Sequence, residues 1–394
     1  MERAEIIKKF LEAGYQLDRE VLDYFSQEPQ KISPLLAVLD TLSPRPITVT
    51  MSTLEKISPL QATITVTRVF EEGRKPKKVQ EVVNYLNSRY QRISGLLQNR
   101  SDLANLVSIR KITDKMKKLS IICLIKDLDE DQLSAVVEDT TGELNVFFSE
   151  RESFSELVLD EVVGLTGIND NGRFSIANVI RPDIPLKKEV AHADRKIGCY
   201  FISGLFLDAK GFAEEKYEKL VKMIADDTTA KVVVLLGGIA KTKERIEKFF
   251  GDLPSDSVKI YLKTSAEPEV SGKNVVVVSD PTIVNIGKVS IFLSHGDILR
   301  GYFQKMGKPP AEALLALVKK RHLDPTFNHT KKIYDQDPYF LDTVPDIFCL
   351  GYFSPPGVLN YKGSTILVTG NLLENPIYWK VDLETRENIK IDLT

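Results

Sequence analysis

The chain has 394 residues, of which 43% are hydrophobic and 27% charged, enough to bury cores in two or three domains. Its 53 Lys and Arg stand against 55 Asp and Glu, a formal net charge of -2 that excludes a global pull toward nucleic acid and leaves only local basic patches. Three cysteines, Cys123, Cys199 and Cys349, lie far apart inside apolar runs with no C-x-x-C spacing, which excludes a zinc finger or disulfide framework and fits reduced core thiols in a cytoplasmic protein.

Residues 3–40 read as a small helical module. Ile6, Ile7, Phe10 and Leu11 share a helix face that Gly14 can terminate, Val21, Leu22, Tyr24 and Phe25 mark a second helix, and Ile32, Leu35, Leu36 and Leu39 a third. A helix-turn-helix DNA reader would need more basic residues than these. Met1–Phe10 carries Glu2, Glu5, Lys8 and Lys9 and lacks a signal-peptide core. Residues 41–78 read as a linker, with prolines at 44 and 46, a charged loop over 71–78 and one alternating strand over Ala62–Thr67.

From residue 79 the pattern is helical. Val79, Val82, Val83, Leu86, Tyr90, Ile93, Leu96 and Leu97 follow a 3.6-residue period, with Arg89, Arg92 and Arg100 expected on the outer face as a solvated stripe. Five short strands follow, over 119–126, 133–137, 143–148, 161–167 and 174–180, separated by Asp-, Asn- and Gly-rich turns. Five strands of this kind predict an OB-fold β-barrel, and their Ile, Leu and Val content favours a docking or spacer role over single-strand binding.

Residues 196–394 read as an α/β domain. Strands are predicted over 197–203, 231–236, 258–262, 274–278, 289–293, 347–350, 365–369 and 378–382, with helices over 213–226 and 243–250 and another opened by Pro309 and Pro310. Functional groups in such a domain sit past the carboxyl ends of the strands. One of these ends offers His295, and another offers Tyr352 and Phe353, which are poor tools for hydrolysis. Leu236-Gly237-Gly238-Ile239-Ala240-Lys241-Thr242 does not have the spacing of a phosphate loop, and no G-x-S-x-G elbow is present. The longest apolar run, 232–240, is too short to span a bilayer, so no membrane role is expected.

Several strings together carry a resemblance: Leu314–Pro325, reading LLALVKKRHLDP, then Val344–Phe348, Asn84–Tyr90 and Arg181–Pro185. With this domain order the chain resembles the small (B-type) subunit of the archaeal D-family DNA polymerase, related to the B-subunits of eukaryotic replicative polymerases. The resemblance implies three modules: 1–40 helical, 79–195 an OB-fold with its preceding helix, and 196–394 a calcineurin-like phosphoesterase fold. Active members of that fold hold two metals on strand-end loops, with Asp and His after the first strand, Asp after the second, an Asn-His pair after the third, a His-Gly step and a Gly-His-x-His ending.

Here Gly204 and Phe206 stand at the first pair and Gly238 at the second Asp. Lys263–Ala266 lacks the Asn-His pair, His295-Gly296 matches, and Tyr352 and Ser354 replace the last histidines. The whole chain has four histidines, His192, His295, His322 and His329, too few near the strand ends for a binuclear site. The expectation is therefore an inactive phosphoesterase with no catalytic residue, no metal and no cofactor. Its partner would be the large catalytic polymerase subunit, at residues the sequence does not assign, and DNA would be met mainly through that complex. The competing readings are a divergent metal-dependent 3′–5′ exonuclease, for which Asp208, Asp280 and Asp297 remain near strand ends, and a stand-alone single-strand-binding paralogue.

Overall fold

A computed structural model describes residues 3–27, 29, 32–39, 46–51, 53–54, 64–69, 73–209, 214–227, 229–264, 266–272, 274–351 and 353–394. The chain begins with α1 (Arg3–Glu12), β1 (Gln16–Leu17), α2 (Arg19–Gln27), α3 (Ile32–Leu39) and β2 (Thr48–Val49). Gly14, at φ +86°, ends α1: its N–H donates to Leu11 O and that of Tyr15 to Phe10 O, the paired bonds of a left-handed helix stop. Ile6, Phe10, Tyr15, Val21, Phe25, Ile32, Leu39 and Val49 form a separate small core.

Next come β3 (Ile64–Val69) and α4 (Val79–Leu97). The Glu81 carboxylate accepts from Lys77 N–H at 2.7 Å and from Arg74 at 3.1 Å, placing a negative charge on the positive end of the α4 dipole. A closed barrel then forms from β4 (Lys118–Asp129), β5 (Ser134–Asp139), β6 (Gly142–Phe148), β7 (Val162–Asp170) and β8 (Arg173–Ile180), with α5 (Arg151–Ser155) between β6 and β7. The order is β4-β5-β6-β8-β7, and β6 and β8 are the parallel pair. Ile121, Cys123, Ile125, Val137, Val146 and Phe174 fill the interior. Outside, α4 lays Ile93 and Leu97 over Ile122, Leu124 and Val162.

The rest is a four-layer α/β body. It comprises β9 (Ile197–Ile202), α6 (Glu214–Asp226), β10 (Ala230–Leu235), α7 (Lys243–Asp252), β11 (Val258–Leu262), β12 (Val275–Val278), β13 (Thr282–Ile286) and β14 (Val289–Ser294). It continues with α8 (Arg300–Met306), α9 (Pro310–Lys319), α10 (Phe327–Thr330), β15 (Ile347–Leu350), β16 (Gly357–Tyr361), β17 (Ser364–Val368), β18 (Ile377–Asp382) and β19 (Asn388–Asp392). One six-stranded sheet runs β12-β11-β10-β9-β18-β19 and the other β16-β17-β15-β14-β13-β3. β9, β10, β11 and β12 are mutually parallel, as are β14, β15 and β17.

The inner faces meet through Cys199, Phe201, Val232, Val234, Ile260 and Leu262 against Val284, Ile291, Leu293, Cys349 and Leu367. The outer residues of the first sheet, such as Tyr200, Val233 and Tyr261, pack on α6 and α7. Those of the second, Phe292, Phe348 and Ile366, pack with side chains of α8 and α9. Burial on both faces explains the unbroken apolar runs of the central strands.

Two expected boundaries move. The 41–78 stretch is not only a linker, because β3 pairs antiparallel with β13, Ile64 opposite Ile286 and Val69 opposite Thr282, and so completes the second sheet. The last domain also starts before 196: Ala193 lies in its core, and its N–H donates to Leu383 O. Strands β13, β16 and β19 and helices α8 and α10 add to the predicted set. Cys123, Cys199 and Cys349 are buried, unpaired thiols whose pKa values burial pushes up. Among the described residues no helix is long and apolar enough to cross a membrane.

Candidate functional site

The parallel strands of both sheets end on one side of the body. Their following loops enclose a cleft of about 650 Å³ lined by residues that include Phe206, Asp208, Gly238, Lys241, Thr264, Glu267, His295, Asp297 and Asn371. Backbone bonds hold the first two loops in register. Phe206 N–H donates to Gly238 O at 2.8 Å and Leu207 N–H to Ile239 O at 2.9 Å. Below them Ser203 Oγ bonds Thr369 Oγ1 at 2.6 Å, joining the ends of β9 and β17 across the two sheets. Carboxylates complete the clamp: Asp208 accepts from Lys241 N–H at 2.6 Å, and Glu267 from Ile239 N–H at 2.8 Å and Thr264 Oγ1 at 3.0 Å.

The His295 side chain is only 12% exposed, and its Nδ1 lies 3.0 Å from Asp297 Oδ2. Its backbone N–H donates to Asp280 at 3.2 Å. Phe353 turns away from the cleft into the second core, edge-on to Phe303 at 4.9 Å and under the Arg300 guanidinium at 5.1 Å. Ser354 is exposed and accepts from Asn375 at 3.3 Å.

Gly204 and Gly238 have φ of +65° and +66°. A Cβ on Gly238 would lie 3.1 Å from Phe206 Cζ and from Gly204 Cα, and one on Gly204 would lie 2.9 Å from Asn371 Cα. The backbone approach needs glycine at both positions. The Phe206 ring occupies the space into which a residue 238 side chain would reach.

A second constellation ties the body to the barrel and α4. Lys320, 1% exposed in its side chain, ion-pairs with equally buried Glu161 on the barrel and donates to Glu156 O at 2.7 Å. Burial and nearby Arg181 push its ammonium down to about 8, against the pull of Glu161. Arg89 on α4, expected on the solvated face, is buried; it pairs with Asp337 at 3.0 Å and donates to Pro325 O. The His322 imidazole contacts the same Asp337 at 2.8 Å through Nε2, while its Nδ1 accepts from Asp324 N–H at 3.1 Å. That assigns the proton to Nε2 in a neutral ring, consistent with burial and Arg89 lowering its pKa. Burial opposes the Asp337 charge, but His322 and Arg89 outweigh it and hold the carboxyl well below the usual carboxylate range. Asp324 also accepts from Tyr302 at 2.7 Å, and the His329 ring lies tilted against Tyr302 with centroids 4.5 Å apart. His192, by contrast, is exposed, with its Nδ1 2.6 Å from Glu384 O.

No protein-family model matches the chain. It is similar to curated proteins named DNA polymerase II small subunit. The one from Methanothermobacter thermautotrophicus is 23% identical over 77% of this chain and 75% of that protein. The one from Archaeoglobus fulgidus is 21% identical over 99% and 88%, and the one from Pyrococcus abyssi 22% identical over 79% and 60%. Over most of its length the chain is similar to the archaeal DNA polymerase II small subunits.

Among solved structures, a novel archaeal phosphodiesterase aligns with 50% of this chain and 99% of its own at 13% identity and a TM-score of 0.33. A predicted phosphoesterase from Streptococcus pneumoniae aligns with 51% and 99% at 12% identity and a TM-score of 0.27.

Of the strand-end positions expected to be vestigial, Phe206, Gly238 and His295 line the cleft, Gly204 packs against Gly238, Ser354 is exposed and bonded to Asn375, and Tyr352 is outside the described residues, as is Ser265. Among the described residues no three His, Cys, Asp or Glu side chains gather in a way that could hold a metal ion. Two glycines and a phenylalanine supply no donor, so these residues do not fit a binuclear metal centre. Sequence reasoning missed Glu267 and Asn371, which no strand-end motif marks, and the inward turn of Arg89.

Proposed function

We propose that this chain is a non-catalytic accessory subunit of a replicative DNA polymerase complex, acting in the cytoplasm as a docking platform for the large catalytic subunit. In this reading the barrel is an OB-fold, the α/β body is a calcineurin-like phosphoesterase fold that has lost its metal ligands, and residues 3–54 are a separate helical module. The relatives' name supports the accessory role. The observation that carries the loss of catalysis is the cleft itself, where Phe206 fills the space above Gly238 and His295 is turned toward Asp297. A scaffold retained without ligand chemistry is left with surface as its use. The buried ties of Lys320 to Glu161 and Arg89 to Asp337 support reading barrel, α4 and body as one continuous platform.

Co-expression of the full chain with the large subunit of the same polymerase tests this directly. The expected result is a complex that survives high salt, because an obligate contact of about 2,000 Å² is largely apolar, together with no stoichiometric metal and no manganese-dependent degradation of single-stranded DNA by the isolated chain. About two metals per chain, with nuclease activity abolished by His295→Ala, would overturn it.

A further inference from the structure

The stretch joining α4 to the barrel alternates anchors with cations. Ile109 is buried, Ile112 and Met116 pack against the barrel core, and Leu119 begins its interior face. Between them stand Arg110, Lys111, Lys115, Lys117 and Lys118, all exposed. The backbone is fixed: Ile109 N–H donates to Asp139 at 2.8 Å, Arg110 N–H to Thr141 Oγ1 at 3.1 Å, and Met116 N–H to Thr113 O at 3.0 Å. Lys117 has one exposed partner, Asp170 at 3.4 Å. Arg110, Lys111, Lys115 and Lys118 make no ion pair among the described residues, although the chain as a whole carries -2. Asp114 within the strip and Asp170 beside Lys117 relieve only part of the repulsion among five cations, and the apolar anchors hold them together against the rest.

Beside the strip lies a furrow of about 420 Å³ whose walls include Arg110, Ile112, Thr141 and Phe174 together with two acids, Asp114 and Glu143, so the phosphates would follow the lysines along its rim. The strip's far end runs against the β7–β8 turn: Asn169 N–H donates to Lys117 O, and Lys118 pairs with Ile168, which is 50% exposed. That turn carries Arg173, whose exposed guanidinium sits over the Phe147 ring, 4.1 Å from its centroid. Fixed cations track phosphates, and a stacked guanidinium offers a plane for a base. A duplex would leave no free base to stack, and an acidic peptide would have no use for the plane.

We propose that the 110–118 strip, the adjoining furrow and Arg173 form a single-stranded nucleic-acid binding surface, with the backbone phosphates on the lysines and a base on Arg173. The surface lies on the barrel mouth, away from the strand-end cleft, and does not depend on the docking role.

The test is fluorescence anisotropy of labelled oligothymidine with the full-length chain, across a salt series. Four or five phosphate contacts predict a log–log salt slope of roughly −3. The variant R110A/K111A/K115A/K118A should fold normally, since every changed side chain is exposed, and should bind at least about tenfold more weakly with a flatter slope. Arg173→Ala should weaken binding at every salt concentration without changing the slope. Absence of saturable binding at low salt, or equal binding by the four-residue variant, would overturn the proposal. Equal competition by polyglutamate would overturn it in favour of an acidic protein partner. Retention of the large subunit by the four-residue variant is expected and separates failure of this surface from failure of the docking role.

Discussion

Asp337 is shared by Arg89 and His322 in a place that water barely reaches. Removing one member of a buried charge set strands the others, which costs about 3–5 kcal/mol. Arg89→Ala should lose that much in urea denaturation, whereas surface Arg100→Ala should lose less than about 1 kcal/mol. The pH dependence follows from the depressed Asp337 pKa. Its stabilising contribution is complete above the unfolded carboxyl value of about 3.9 and drains away as pH falls through the lower folded value. Asp337→Asn should therefore start less stable at neutral pH and lose less on acidification below about pH 5, measured as urea midpoints against pH. None of this was visible in composition, because a hydropathy reading places Arg89, Lys320 and Asp337 in solvent. The string Leu314–Pro325 carries the resemblance without assigning these residues a role. It contains Lys320 and His322, which join body to barrel and α4.

His295 and Gly238 belong to loops, and their effects follow from how those loops are held. His295→Ala removes a contact to exposed Asp297, so a loss of about 1–3 kcal/mol with an intact polymerase complex is expected. Loss of partner binding by a well-folded variant would show that His295 belongs to the docking surface. Restoring an acid by Gly238→Asp should not restore a metal site: the new Cβ meets Phe206 and Gly204 at 3.1 Å from a left-handed backbone, and the neighbouring donors are already engaged, His295 by Asp297 and Asp208 and Glu267 by loop N–H groups. The expected outcome is a lowered melting temperature and no manganese binding by calorimetry.

At the same scale, the central strands were legible because burial on both faces leaves unbroken Val, Ile and Phe runs. β13, β16 and β19 were not. Asn285 interrupts the first, Gly357 and Asn360 weaken the second, and the third alternates Lys390 and Asp392 with isoleucines on a sheet edge. The cleft's position was legible from strand ends, while its carboxylate clamp was not, since Asp208 and Glu267 bond to backbone that only the folded loops bring near.

The whole molecule divides at a point the sequence does not mark. Prolines and charges make 41–78 look dispensable, yet β3 closes the edge of the second sheet, Ile64 packs against the inter-sheet core, and Thr67 Oγ1 donates to Ile283 O at 3.1 Å. The pairing spans more than two hundred residues of sequence, a separation that local periodicity cannot report. A fragment beginning at 79 leaves β13 as an exposed edge with unpaired N–H and C=O groups and uncovers apolar core, a recipe for self-association. A fragment beginning near 62 keeps the strand and loses only the helical module, whose core is self-contained. Fragment 62–394 should therefore be monodisperse, melt close to the full chain and retain the large subunit in high salt. Fragment 79–394 should melt lower and aggregate on size-exclusion chromatography. Equal behaviour of the two would mean that β3 adds nothing to the sheet it borders. Failure of 62–394 to hold the large subunit would place part of the docking surface on the helical module.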